Sequence, residues 1–158
     1  MLPLNKVSKL KLLEIVARID FFKSFTIDQR ELLLQHAKCY KCIDGHLIQS
    51  PVDHNSHFYI ILSGEAAIFK QGIVDPVGFV KAGEFIGEGS FIKRRAKSTA
   101  ARATTDSIVL CMDQDTLQGL PAQLKNTFKD AIIEGMAKRI MYLSDEIVRL
   151  GEIYMEKQ

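Results

Sequence analysis

Three stretches of different periodicity succeed one another along the chain. Over residues 5–17, Val7, Leu10, Leu13, Ile15 and Val16 recur at helical spacing with lysines between them. Phe21, Phe22 and Phe25 follow at a turn. Thr26-Ile27-Asp28-Gln29 reads as a capping box, since Gln29 stands three residues after a hydroxyl, and a short helix is predicted from about Ile27 to His36. Over residues 37–112 the pattern changes to short β-branched and aromatic runs. Asp44-Gly45, Asp53 to Ser56, Ser63-Gly64, Gln71-Gly72, Lys81-Ala82-Gly83 and Thr105-Asp106 punctuate them. The predicted strands are 38–43, 47–49, 57–63, 65–70, 77–80, 98–103 and 107–112. Many short strands at this spacing point to an antiparallel sandwich or jelly-roll.

Beyond Asp113 the period returns to helical. Asp115 is placed to cap a short turn ending at Gly119, and Pro121 suits the first turn of a new helix, where its missing N–H costs nothing. Ile133, Met136, Ile140, Leu143, Ile147, Leu150 and Tyr154 then follow at alternating spacings of three and four, an a/d seam over three heptads. Glu134–Lys138 and Asp145–Arg149 are i,i+4 pairs in the favourable order. A helix of ~35 residues is ~52 Å long, more than a small barrel covers. Leu124, Phe128, Ala131 and Gly135 form a different face, suited to the parent domain. The first turns are therefore expected on the barrel and the last turns on a second copy, giving a homodimer through the C-terminal helix.

The expected fold is mainly β with flanking α: an antiparallel β jelly-roll barrel with N-terminal helices and a long C-terminal helix. Residues 1–36 form the helical entry, 37–113 the β-roll and 114–158 the exit helices with their dimerisation seam. Composition fits such a chain: 158 residues, 47% hydrophobic and 25% charged, excluding wholesale disorder. A net charge of +2 provides no global field for nucleic acid or an anionic membrane. No apolar run reaches ~18 residues, so no membrane span is expected. Charges between Met1 and Lys11 interrupt any signal-peptide core. Three cysteines make no disulfide framework, and a cytoplasmic protein is expected.

Several chemistries lack their residues. The chain has no Gly-x-Gly-x-x-Gly, no Gly-Lys-Ser/Thr after a glycine loop and no Gly-x-Ser-x-Gly elbow. Cys39-Tyr40-Lys41-Cys42 has metal-ligand spacing without a second half. In a strand its two thiols would face opposite sides. Asp53, His54 and His57 offer ligand atoms but sit in turn composition. No metal site and no catalytic set is expected. The basic run Lys93, Arg94, Arg95, Lys97 and Arg102 lacks interleaved aromatics, which favours a solvated loop over a nucleic-acid surface.

The most informative stretch begins at Gly83-Glu84-Phe85-Ile86-Gly87-Glu88-Gly89-Ser90-Phe91-Ile92. It is a glycine-rich turn opening a short helix, then a basic loop leading into a strand that starts at Ala96-Lys97-Ser98-Thr99. Gly87 and Gly89 allow close backbone approach, and unpaired N–H groups at the helix start suit an anion. A carboxylate at Glu88 and a cation at Lys97, nine residues later, suit a phosphate beside a ribose hydroxyl.

This segment resembles the phosphate-binding cassette of the cyclic nucleotide-binding domain family. Gly87-Glu88 matches the family's Gly-Glu, and Ala96-Lys97-Ser98-Thr99 stands where a Pro-Arg-Ala-Ala would. The resemblance extends to most of the chain. Ile19-Asp20-Phe21-Phe22 looks like the entry helices, Asp44-Gly45-His46-Leu47-Ile48 and Phe58 to Ala66 like the first strands and glycine turn, and Leu120-Pro121-Ala122 onward like the exit helices. It implies a jelly-roll that binds cAMP or cGMP and needs no metal. Glu88 would accept the ribose 2′-OH. Backbone groups along Phe85, Ile86, Gly87, Glu88, Gly89 and Ser90 would meet phosphate and ribose. Lys97 would replace the phosphate-binding arginine, with a hydroxyl from Ser98 or Thr99. Lysine keeps the charge but lacks the planar fork; Arg94 and Arg95 stand near enough to compensate, and an alternative register makes Arg95 the ligand. The implied role is a regulatory module, not an enzyme, that signals through its C-terminal helix to an unknown downstream protein. No direct DNA binding is expected, because the chain stops at Gln158 just after that helix. The alternative is a degenerate, ligand-free dimerisation scaffold of the same fold.

Overall fold

A computed structural model describes residues 1–4, 8–52, 55–93 and 97–157. Two antiparallel sheets stack into the β-roll. In chain order the elements are β1 (Leu2–Pro3), α1 (Lys9–Ala17), a 3₁₀ turn (Asp20–Phe22), α2 (Ile27–His36), β2 (Lys38–Cys42) and β3 (Leu47–Gln49). Then come β4 (Phe58–Ser63), β5 (Glu65–Lys70), β6 (Gly78–Lys81), β7 (Phe85–Ile86), α3 (Glu88–Lys93), β8 (Thr99–Ala103) and β9 (Ser107–Met112). Helices α4 (Gln114–Gln118) and α5 (Ala122–Glu156) close the chain. One sheet has the order β1-β2-β9-β4-β7 and the other β3-β8-β5-β6.

The five-stranded sheet is covered on both faces, which sets the whole architecture. Along β4, Phe58, Ile60 and Leu62 enter one apolar cluster while Tyr59 and Ile61 enter the other; β9 splits likewise between Leu110 with Met112 and Val109 with Cys111. This is why β4 reads as an uninterrupted apolar run rather than an alternation. The first cluster lies between that sheet and the helices. Val16 of α1, Leu33 of α2, Leu117 of α4 and Leu124 and Phe128 of α5 all bury there. At its centre, Phe21, Phe58, Phe85, Phe91 and Phe128 stack edge-on or tilted with centroids 5.1–6.3 Å apart. The second cluster fills the space between the sheets, with Ile48, Ala66, Val80 and Ala101 on the facing side.

Several boundaries follow the sequence closely. Thr26 caps α2 with the full reciprocal box: its hydroxyl accepts from Gln29 N, and Gln29 Oε1 accepts from Thr26 N. Cys39 packs against the helical cluster and Cys42 belongs to the inter-sheet one, so the two thiols face opposite sides of β2. Val7 lies outside the described residues; α1 begins at Lys9, with Ser8 as its cap. Other expectations need correction. Asp113, not Asp115, caps α4, its carboxylate accepting from Thr116 N at 2.7 Å. Pro121 is the cap of α5 rather than a residue within its first turn. The phenylalanine-rich turn is a 3₁₀ element whose Phe21 and Phe22 are core. β1 and β7 escape the sequence pattern because two residues carry no period; they exist by pairing with β2 and β4.

At the β4–β5 turn, Gly64 has φ +92°, and a Cβ there would fall 2.2 Å from Ser107 Oγ and 2.7 Å from Asp106 O. Gly72 also has positive φ but faces open space. Gly72→Ala is therefore expected to cost only the left-handed backbone, about 1–2 kcal/mol, whereas Gly64→Ala adds a backbone clash and is expected to exceed about 3 kcal/mol. Urea unfolding of the two variants measures the difference.

Candidate functional site

The glycine-rich stretch folds as the sequence suggests, a tight turn at Gly87 feeding the short helix α3. Gly87 is left-handed, with φ +87°, and it lies against the segment entering β4. A Cβ on it would stand 2.5 Å from His57 O, 3.0 Å from Gln49 Oε1 and 3.3 Å from Lys97 Nζ. Only glycine permits this approach.

Lys97 is 5% exposed, and its ammonium lies inside the turn. Nζ donates to His57 O at 2.9 Å and to Ser90 Oγ at 3.0 Å, while Ser90 Oγ donates to Gly87 O at 3.1 Å. The Tyr59 ring centroid lies 5.7 Å from the same ammonium. One cation thus ties together the start of β4, the first turn of α3 and the entry to β8. Burying an ammonium is expensive without such acceptors. Gln49, at the end of β3, is 3% exposed and donates through Nε2 to Thr99 O at 3.1 Å and Thr99 Oγ1 at 3.2 Å. Among the described residues its Oε1 has no hydrogen-bond partner.

Glu88 opens α3 and is engaged from the opposite direction. Arg139 of α5 donates from Nη1 to Glu88 Oε1 at 3.2 Å and from Nη2 to Phe85 O at 2.8 Å, with its guanidinium 5.3 Å from the Phe85 ring centroid. One turn earlier Gly135 packs so tightly on that ring that a Cβ would lie 2.4 Å from it. The long helix therefore lies across the cassette.

An open cleft is lined by Gly87, Glu88, Gly89, Ser90, Lys97, Ser98 and Thr99 together with Arg139 and Tyr142 of α5. Phe85 and Ile86 also reach it, although both side chains are buried in β7, Phe85 in the helical core and Ile86 between the sheets. Glu88 and Lys97 both line this cleft, the carboxylate paired with Arg139 and the ammonium held against His57 O and Ser90 Oγ. Arg94, Arg95 and Ala96 lie outside the described residues. Gln49 and Arg139 were not identified from sequence, and His57 was weighed only as a metal-ligand candidate in a turn. His57 acts through its backbone carbonyl, which no side-chain pattern encodes, and Arg139 is one cation among many on a helix. Gln49 was detectable only as a polar residue following Ile48 at the end of a three-residue strand.

The thiols point away from metal or redox chemistry: burial pushes Cys39 up to about 11 and Cys111 up to about 12, and raises Cys42. Among the described residues no group of three ligating side chains forms a metal site, and no helix is long and apolar enough to cross a membrane. Asp53 and His54 fall outside the described residues.

Comparison with known proteins agrees with this geometry. Residues 44–123 match the family model described as cyclic nucleotide-binding domain. Among curated proteins the chain is similar to a cAMP-dependent protein kinase regulatory subunit of Emericella nidulans, 28% identical over 85 residues, covering 54% of this chain and 21% of that protein. It spans about a fifth to a third of the length of the curated relatives it matches. Its fold is like that of a cyclic nucleotide-binding domain from Methylobacillus flagellatus KT, with TM-score 0.75 and 24% identity over 89% of this chain and 82% of that one. It is also like the catabolite activator protein of Thermus thermophilus, with TM-score 0.68 and 19% identity over 83% of this chain and 62% of that one. The jelly-roll, the glycine-opened cassette helix and the matched residues together place the chain in the cyclic nucleotide-binding domain family.

Proposed function

We propose that this chain is a non-catalytic regulatory module of the cytoplasm that binds cAMP or cGMP in the Glu88–Lys97 cleft and passes the event through α5 to a separate protein. The observation that carries the reading is that Glu88 and the buried Lys97, at the two ends of the α3 segment, both line one cleft. A cyclic phosphodiester has acceptor oxygens for that ammonium, for the hydroxyls of Ser98 or Thr99 and for the N–H groups around Gly87 to Ser90. Its ribose 2′-OH would donate to Glu88. A chain of like fold, PKAR CBD2, has been solved with Sp-2Cl-cAMPS bound; its TM-score to this chain is 0.67.

The route outward is the shared carboxylate. Arg139 holds Glu88 Oε1, so a ribose hydroxyl arriving at Glu88 meets α5 on the same side chain. Both partners are partly exposed, at 32% and 25%, so the pair itself contributes at most about 1 kcal/mol. A link that weak can be remade by a ligand. It transmits a signal only because nucleotide changes the balance between two positions of the helix. The exposed Ile140, Leu143, Ile147 and Leu150 of α5 would pair two copies and carry that change across a dimer.

The ligand-free scaffold predicts no response to nucleotide, whereas the sensor predicts a raised melting temperature with cAMP or cGMP. Titration calorimetry on Glu88→Ala and Lys97→Ala should show binding weakened by about 1–3 kcal/mol in each; unchanged affinity in both would exclude the site. Arg139→Ala removes the contact between Glu88 and α5 and leaves the proposed ligand groups of Glu88, Lys97 and the α3 turn in place. It is expected to retain binding with an affinity altered up to about fivefold, the range of a coupling near 1 kcal/mol. An Arg139→Ala protein with wild-type affinity and an unchanged nucleotide-induced shift in α5 hydrogen exchange would refute the route through Arg139.

A further inference from the structure

Gln49 has no part in the binding scheme above, yet it is built into the site. It closes β3, is 3% exposed and lines the same cleft. Its amide has one workable orientation. Nε2 donates to Thr99 O at 3.1 Å and to Thr99 Oγ1 at 3.2 Å. A carbonyl oxygen only accepts, so the reversed amide would set two oxygens against each other. Oε1 is thereby fixed against Gly87, where among the described residues no donor reaches it. A buried acceptor left unpaired costs stability and calls for a physical reason. Three atoms border the notch that the missing Cβ of Gly87 leaves. His57 O, Gln49 Oε1 and Lys97 Nζ lie 2.5, 3.0 and 3.3 Å from the point where that Cβ would stand. His57 O already accepts from Nζ; Gln49 Oε1 does not. The ammonium sits on a flexible four-carbon stem with rotatable donors, and no side chain on Gly87 divides it from Oε1.

We propose that Gln49 is a positioning residue of the nucleotide site, its side-chain carbonyl being a second seat for the Lys97 ammonium that is taken when the ligand binds. The inference rests on the cyclic nucleotide binding stated above and extends it to a residue outside the cassette. In this structure the ammonium engages His57 O and Ser90 Oγ. A charged phosphate at the α3 turn outcompetes a neutral hydroxyl for that ammonium. The ammonium then leaves Ser90 Oγ for the phosphate, pivots on His57 O and brings a donor onto Gln49 Oε1. The buried cation exchanges one protein acceptor for another instead of losing one. The exchange also gives the unpaired oxygen its partner. An acceptor unsatisfied without ligand and satisfied with it adds to the difference between the two states, and so to affinity. The Nε2 end stays on Thr99, two residues beyond Lys97, and holds the carbonyl in place throughout.

Calorimetric titration of the full chain with cAMP and with cGMP tests this through a double-mutant cycle. Gln49→Met keeps an unbranched side chain of similar length and removes the acceptor; it is expected to weaken binding about tenfold. On a Lys97→Met background the same change is expected to weaken binding no further, because the seat has no occupant. A purely structural Gln49 would lose the same factor on both backgrounds. A second measurement needs no variant. A crystal structure of the wild-type chain with the nucleotide that binds is expected to place Nζ within hydrogen-bond distance of Gln49 Oε1 and away from Ser90 Oγ. Equal losses on both backgrounds, or Nζ still on Ser90 Oγ beside a bound nucleotide, would overturn the exchange while leaving the cleft as the binding site. A wild-type chain that binds neither nucleotide would overturn both.

Discussion

The buried ammonium of Lys97 is the constraint around which the site is organised. Three chain segments far apart in sequence converge on it: the carbonyl before β4, the serine hydroxyl in α3 and the strand start that carries the lysine itself. An ammonium at this depth requires acceptors, and two are supplied from backbone-defined positions. Gly87 makes the convergence possible, because any side chain there would displace the His57 carbonyl that Nζ needs. The glycine and the lysine are thus one feature, in which a missing Cβ opens the space that a cation fills.

Lysine in place of arginine has a local meaning in this setting. A guanidinium presents a rigid planar fork to a phosphate, whereas an ammonium is a compact point charge with three donors. With two donors directed at His57 O and Ser90 Oγ, the ammonium is positioned by the protein and meets an incoming anion as a charge rather than as a clamp. On the proposed reading, orientation of the ligand would then fall to the backbone groups of the α3 turn and to Glu88. That would shift weight onto the end of the cassette that Arg139 touches, and so onto α5.

Much of this arrangement was legible in the sequence, and the reasons differ by element. The capping box of α2 and the strands 47–49, 65–70 and 107–112 are written in local residues, so periodicity and hydroxyl placement suffice. The cassette was legible because glycine, glutamate and a later cation at fixed spacing resemble a known family. The two-residue strands β1 and β7 were not, because only their partners define them. The Asp113 cap was mistaken by two residues since both positions are aspartate and residue type alone does not say which one precedes the first helical turn. His57 and Arg139 were invisible for a deeper reason: each works through a contact 40 or more residues distant in sequence, which only the fold creates.

The long helix links these local facts to a larger scale. A continuous helix of 35 residues is a rod of ~52 Å. Its proximal face is fixed in the core at Phe128, its middle rests on the cassette through Gly135 and Arg139, and its distal apolar face lies beyond the domain. A small rotation about the Phe128 end therefore becomes a larger displacement at Tyr154, in proportion to distance along the rod. No proline interrupts the helix between Arg139 and its distal apolar face, so on the proposed reading a change at the Arg139–Glu88 contact would carry that face with it. Under the proposed function, ligand occupancy would couple to the placement of a neighbouring copy through this one rod.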